Sequence, residues 1–433
     1  VKRILYVILD GLGDRPVPEL GGRTPLAAAE APFLGALVLE GRTGIVQTVG
    51  PGIAPESDVA VLAMLGYDPF AYHVGRGVFE AVGADIPFRD GDLALRGNFA
   101  TGGPGGRILD RRAGRDLTSE EARSLAEAVS REIRFRAAPA EVEVKASVGY
   151  RAGVVIRRRD GRLSAQISNT DPAYGRLAGL GVAREQVGDA VEPCTPLDDS
   201  EEARTAAALV NEFTEQCFAL LDRHPVNERR RSQGKLPANL ILLRDAGDRL
   251  PTMPPLAERF GVEFGCFVEM PVERGIARLT GMAVIPVPTS SGTREDAYRR
   301  WAEIAAREYR RHGGLYIHLK GPDEPGHDRD PAGKKAVIEV IDRAFFGTLL
   351  QGVSLEDALV AVTADHATPS TLGRHSDDPV PLLVAGAGVP ADGVRVFSEA
   401  ACAEGSLGTL RGVDVLPLLV TMAAGDLRPP GAS

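Results

Sequence analysis

The sequence predicts an α/β fold with a largely parallel sheet, into which a smaller α+β domain is inserted. Three observations carry this. Ile4–Leu9 (ILYVIL) is an unbroken, β-rich apolar run that ends at Asp10-Gly11. A run without polar alternation reads as a strand buried on both faces, as in parallel sheets. Leu315–Leu319 (LYIHL) and Ala358–Val362 (ALVAV) have the same form, the first leading into Lys320-Gly321-Pro322-Asp323 and the second into Thr363-Ala364-Asp365-His366. Helical segments, Arg294–His312 and Ala332–Leu350, precede the second run and separate it from the third. Strand-helix-strand alternation of this kind puts the active site at the carboxyl ends of the strands.

The middle of the chain has another character. From about Ala71 to Gly261 the runs are short and punctuated by glycine, with helices expected at Ser119–Arg131 and Ser200–Leu221. Val154–Arg158, followed by Arg159-Asp160-Gly161, reads as a hairpin with a tight turn. At 433 residues the chain exceeds what one core usually takes. The expected organisation is a discontinuous core, residues 1–70 and 262–433, interrupted by an insert at 71–261. Beyond a Pro- and Gly-containing tail after Leu427 there is no low-complexity tract, and no short repeat recurs.

Composition narrows the function class. A net charge of −9 disfavours a general nucleic-acid binder. Cys194, Cys217, Cys266 and Cys402 are far apart and form no CxxC pair, which fits a reducing cytoplasm rather than a disulfide framework or a zinc ribbon. The opening apolar run is too short for a signal-peptide core, and no stretch approaches the ~20 apolar residues of a membrane span.

The chemistry-bearing residues sit just past the predicted strands or in Gly/Pro loops: Asp10, Asp323, His327, Asp365, His366 and His375. Mixed Asp and His ligands suit hard or borderline divalent ions, manganese foremost, with Mg, Zn or Co as alternatives. Six such ligands exceed what one catalytic ion needs; two adjacent ions would use them all and clamp a transferring phosphoryl group. Pro322, Pro325 and Gly326 point to a loop that wraps Asp323 and His327 around one ion. Singly, Asp10-Gly11 could be a plain turn, Asp365 a helix cap and His375 a surface residue. Ser57, in GIAPESD just before the apolar Val59–Leu65, is either an N-cap serine or a nucleophile at a helix N-terminus, where N–H groups and the helix dipole favour phosphate. In the insert, Arg76, Asn98, Arg112, Arg115, Arg151, Asp171 and Arg244 are candidate contacts for a small phosphorylated carboxylic acid, each with a solvated surface position as its ordinary alternative.

These residues lie in phrases that resemble the archaeal-type cofactor-independent phosphoglycerate mutases of the alkaline phosphatase superfamily. The core phrases are ILYVILDGLGDRP, ESDVAVLAMLGYDPF, KGPDEPGHD and TADH followed by GRHSDDP; those in the insert are GRGVFEAVGADI, RGNFAT, DRRAGR, SNTDP and ANLILLRDAG. The metal motifs alone specify the superfamily, and the insert phrases narrow it to this branch. The resemblance implies an alkaline phosphatase-like α/β/α core and two divalent ions, one on Asp323, His327 and His375, the other on Asp10, Ser57, Asp365 and His366. It further implies that Ser57 takes the phosphoryl group of 3-phosphoglycerate as phosphoserine, that glycerate stays trapped between the domains and reorients, and that its 2-hydroxyl receives the group. The resemblance also implies that no 2,3-bisphosphoglycerate takes part and makes Lys320, close to the metal loop, the expected electrostatic stabiliser of the transferring group. The role would be in glycolysis and gluconeogenesis. Tyr150-Arg151 departs from the His-Arg expected of this family, and Phe33 follows Pro32 where an Asn is frequent. A metal-dependent phosphatase or phosphodiesterase, and a homoserine kinase-like phosphotransferase, use the same core. A non-catalytic metal-binding scaffold is the third class. Oligomeric state is not legible in the sequence.

Overall fold

Apolar runs from distant parts of the chain assemble into a single sheet in the computed structural model, which describes residues 2–177, 180–184, 186–288 and 294–427. The tail after Leu427 lies outside the described residues. The chain divides into two compact units. One comprises Val1–Ala71, Met253–Glu269 and Ala277–Ser433, the other Tyr72–Thr252 and Met270–Ile276. The joins expected from sequence fall after residues 70 and 261.

The strands of the first unit are β1 (Arg3–Leu9), β2 (Arg42–Gln47), β3 (Phe264–Phe267), β4 (Ala283–Val284), β5 (Gly314–Leu319), β6 (Ala358–Thr363), β7 (Val380–Gly386) and β8 (Gly408–Arg411). They form one eight-stranded sheet in the order β4-β3-β5-β1-β6-β7-β2-β8. From β4 to β6 all neighbours are parallel, β7 is antiparallel to both of its partners, and β8 is parallel to β2. β1 is central and Ile4–Leu9 are fully buried, which is why ILYVIL carries no polar residue. Each such side chain contributes roughly 1.5–3 kcal/mol on burial. The register aligns Leu9 with Leu319 and Ile8 with Thr363, so β1, β5 and β6 end level and Asp10, Lys320 and Asp365 emerge on one edge.

Helix Arg294–Glu308 and the helical stretch Pro331–Gly352 occupy the expected connections. The second contains a π-turn at Asp342–Phe346. The buried Asp342 carboxylate there accepts from the Phe33 and Leu34 N–H groups (3.2 and 2.7 Å), capping helix Pro32–Leu39, whose own N-cap, Ala31, has no side-chain acceptor.

In the second unit, strand Leu93–Gly102 runs antiparallel between Arg151–Arg158 and Leu240–Gly247, and Ala140–Ala146 extends the sheet beyond Arg151–Arg158. Helices Ser119–Glu132 and Glu201–Leu221 join the core that includes Leu93, Leu95, Val154 and Leu243. Helix Arg76–Gly83 packs through Val78 and Ala81 on Ala94 and Val155, which point the other way. The hairpin expectation needs correcting. Arg151–Arg158 pairs with the strand before it, through a turn at 147–150 in which Gly149 takes φ 60°. Arg159-Asp160-Gly161 instead lets the chain leave the sheet.

Met270–Ile276 belongs to this unit because two glycines let backbones touch. A Cβ on Gly83 would lie 1.7 Å from the Pro271 carbonyl oxygen, and one on Gly275 would lie 1.9 Å from that of Phe79. Neither obstacle is a movable side chain, so Gly275→Val is expected to lower unfolding free energy by about 1–3 kcal/mol or more in a urea titration. A loss below about 0.5 kcal/mol, the range of an ordinary surface change, would contradict this close approach.

Candidate active site

Three loops at the level edge of β1, β5 and β6 bring the predicted ligands together. Gly11, at φ 64°, lacks the Cβ that would stand 2.7 Å from Asp323 Oδ1, so the Asp10 and Asp323 loops approach closely. Asp323 and His327 begin and end a short helix, Asp323–His327, rather than the irregular loop that Pro322, Pro325 and Gly326 suggest. One helical turn nevertheless puts both side chains on one face. His327 Nε2 is 3.4 Å from Asp323 Oδ2 and 3.2 Å from His375 Nε2, and His375 Nε2 is 3.5 Å from Asp323 Oδ1. This trio is compact enough to hold one ion.

A second group lies alongside. His366 Nε2 is 3.4 Å from both Asp10 Oδ1 and Asp365 Oδ2. The other Asp365 oxygen accepts from the N–H groups of Gly11 (3.1 Å) and His366 (3.0 Å), which orients the carboxylate. The Thr368 hydroxyl links the groups, donating to Asp323 Oδ1 (2.6 Å) and lying 3.1 Å from His366 Nδ1. The His366 and His375 rings stack 3.7 Å apart. Lys320 Nζ pairs with Asp10 Oδ2 at 2.9 Å. Ser57 opens helix Ser57–Met64 as its first residue; the N-cap is Glu56, without a side-chain cap bond, so Ser57 is not the capping residue. Its loop meets the second histidine trio member directly, since Pro55 O lies 2.8 Å from His375 Nδ1.

Charge and burial suit divalent cations. Asp10 Oδ1, Asp365 Oδ2 and His366 Nε2 are buried and form no hydrogen bond. An uncompensated buried carboxylate oxygen is costly, and a dication among these N and O donors would satisfy all three. Burial alone would raise Asp10, but Lys320, His318 and His366 hold it well below the usual carboxylate range. Burial alone would lower His366, but Asp365 and Asp10 outweigh it and lift the imidazole to about 9. Its proton marks the strongly negative spot from which a metal would displace it.

The second unit gathers guanidinium groups. On Leu93–Gly102, Arg96 and Asn98 share the face of Ala94, and the register sets Arg96 beside Arg244 and Asn98 beside Arg151. Arg76 reaches the same place from its helix, where Glu80 Oε1 lies 3.2 Å from Arg76 Nε and 3.8 Å from Arg96 Nε. Burial, with Arg76, Arg244 and Arg151 close by, lowers Arg96 to about 9. The Arg151 and Arg112 guanidinium carbons lie 4.8 and 6.0 Å from the Tyr150 ring centroid, and that of Arg244 lies 3.4 Å from the Tyr174 centroid. Asp171 accepts two bonds from Arg111 (2.7 and 2.6 Å) and lies 3.7 Å from Arg244 Nη1. Arg115 stands exposed at φ 60° on the turn Ala113–Arg115. Buried Asn98 Oδ1 and Arg151 Nε form no hydrogen bond, and such groups ask for a polar ligand.

Residues 39–227 match the family model of 2,3-bisphosphoglycerate-independent phosphoglycerate mutase. The Aeropyrum pernix protein of that name is 45% identical over 429 residues, 98% of this chain and 100% of the relative. This chain belongs to the 2,3-bisphosphoglycerate-independent phosphoglycerate mutase family. The Methanopyrus kandleri mutase is 39% identical over 98% of this chain and 96% of its own. Among solved structures, the cofactor-independent phosphoglycerate mutase of Thermoplasma acidophilum superposes with a TM-score of 0.63 at 34% identity, covering 98% of this chain and 100% of that one. The PH0037 protein of Pyrococcus horikoshii gives 0.79 at 30% identity, covering 100% and 99%. The α/β core with its smaller α+β insert is therefore the fold of this mutase-family chain.

Sequence reasoning passes over several residues that stand among the predicted ones. His318 lies in an apolar strand and reads as core, although it precedes Lys320 by two and so shares its side of β5. Arg96 precedes Asn98 by two, the strand period that would have paired them. Arg111 adjoins Arg112, and Thr368 carries no signal beyond its closeness to His366.

Proposed function

We propose that the chain interconverts 3-phosphoglycerate and 2-phosphoglycerate by intramolecular phosphoryl transfer through Ser57, at a centre holding two divalent ions. Asp323, His327 and His375 would hold one ion, and Asp10, Asp365, His366 and Ser57 the other. The observation that carries this is the convergence of the aspartates and histidines, with orphaned oxygens and nitrogen among them, in a chain of this family. Bound ions, Mn foremost, would acidify the serine hydroxyl and neutralise the phosphoryl oxygens.

The chain's own residues do the rest. Ser57, first residue of its helix, stands where unpaired N–H groups and the helix dipole favour an anion. Its Oγ forms a bond to phosphorus as the bond to the substrate 3-oxygen breaks, and that oxygen regains a proton. The Lys320 ammonium, beside Asp10, balances charge on the transferring group. The guanidinium cluster of the second unit, with Asn98, is the candidate for the glycerate carboxylate, which bidentate donors suit. The glycerate 2-oxygen then bonds to phosphorus as the bond to Ser57 Oγ breaks, and the 2-hydroxyl proton passes to Oγ, which restores the serine. Among the described residues no helix is long and apolar enough to cross a membrane. The four free, buried cysteines suit a reducing cytoplasm, where this reaction would serve glycolysis and gluconeogenesis.

The test is conversion of 3-phosphoglycerate to 2-phosphoglycerate without added 2,3-bisphosphoglycerate, with manganese present. Isomerisation with little phosphate release is expected. Stoichiometric release of inorganic phosphate without isomer would instead identify a phosphatase.

A further inference from the structure

His318 is fully buried on β5, in register with Ile8, two residues before Asp10. Its Nε2 lies 3.8 Å from Asp10 Oδ1 and 3.5 Å from Asp365 Oδ2, the same two oxygens that His366 Nε2 approaches at 3.4 Å. Two imidazoles, one on β5 and one in the loop beyond β6, thus address one pair of carboxylate oxygens, both buried and without a hydrogen bond.

We propose that His318 is a further protein ligand of the ion assigned to Asp10, Asp365 and His366, an inference that rests on the two-ion centre proposed above. The orientation of the rings supports it. Each of the three predicted histidine ligands has Nδ1 against an oxygen: His327 at Gly373 O (3.1 Å), His375 at Pro55 O (2.8 Å) and His366 at Thr368 Oγ1 (3.1 Å). Each turns Nε2 toward a carboxylate. His318 repeats the pattern, with Nδ1 3.3 Å from the Tyr316 hydroxyl and Nε2 toward the two aspartates. Such an outer oxygen fixes the tautomer and aims the free nitrogen of a metal-bound histidine.

Spacing agrees. Donors about 2.1 Å from an ion at tetrahedral angles lie about 3.4 Å apart. The four separations, 3.4 to 3.8 Å, are within a few tenths of this. Two carboxylates balance a dication's charge inside a buried site, and neutral imidazoles add donors without adding charge. A second imidazole also shifts preference from magnesium toward manganese, cobalt and zinc. Ser57 then joins four protein donors rather than three. The ordinary alternative is a core histidine that hydrogen-bonds the aspartates without touching the ion.

The experiment uses metal-stripped full-length protein and cobalt(II), read by calorimetry and by proton NMR in water. Imidazoles bound to cobalt keep an exchangeable N–H whose resonance moves far outside the diamagnetic range. Wild type is expected to bind two ions and to show four such resonances, from His318, His327, His366 and His375. His318→Gln is expected to lose one resonance and to bind one of its two ions at least about 10-fold more weakly, no less than removal of an outer hydrogen-bond partner would cause, while the metal-free proteins melt alike; the lost resonance is what separates a ligand from such a partner. Two bound ions with three shifted resonances in wild type, all kept in His318→Gln, would overturn the role of His318 and leave the two-ion centre standing. Absence of cobalt binding by wild type would overturn both. Should the variant not fold, the wild-type resonance count still decides.

Discussion

A Ser57→Ala protein is expected to fold and melt as the parent does, and to show no detectable interconversion of 3- and 2-phosphoglycerate. The first half follows from its place in the helix. Glu56, not Ser57, is the N-cap, and no side-chain cap bond is lost. Alanine is the best helix former, so the first helical position tolerates it, whereas losing a true serine cap costs roughly 1 kcal/mol. The second half follows from chemistry. Without Oγ nothing else on this helix can carry the phosphoryl group, and the neighbouring Asp58 is buried. Thermal melting and turnover measured on one preparation separate the two effects. Isomerisation by Ser57→Ala at a substantial fraction of the parent rate would remove Ser57 from the mechanism.

Chelation should produce a loss as large. Stripped of divalent ions, the centre retains Asp10, Asp323 and Asp365 within one small volume, beside Lys320 and the neighbouring imidazoles. Activity should fall below detection and return with manganese. Melting temperature should rise on adding back the ion, because a ligand at a hundred times its Kd stabilises the folded form by about 2.7 kcal/mol per site. Full activity in excess chelator, with no metal in the protein, would contradict the two-ion centre.

Much of the edge that carries the candidate site was legible because central parallel strands leave a plain signature. ILYVIL, LYIHL and ALVAV are buried throughout, and the polar residues that follow them come out level because the strands are in register. What the sequence hides is whatever depends on partners far along the chain. Val380–Gly386 is as apolar as its neighbours yet runs antiparallel, which local pattern cannot report. Arg159-Asp160-Gly161 has the composition of a hairpin turn, but the strand before Arg151 was the better partner, and the less conspicuous 147–150 makes the turn. Asp323–His327 forms a helical turn despite Pro325 and Gly326, since one turn needs few of the hydrogen bonds that proline removes. His318 is concealed by its apolar neighbours, and Arg96 by the apolar stretch that precedes it. Both become visible when side chains are counted at the strand period of two.

Phosphoryl transfer through Ser57 is tested most directly by mixing the manganese-loaded protein with radiolabelled 3-phosphoglycerate and quenching in acid within one turnover. The predicted result is label on the peptide that contains Ser57, chased into 2-phosphoglycerate by unlabelled substrate. Isomerisation with no label on the protein at any time, or label on another residue, would contradict it.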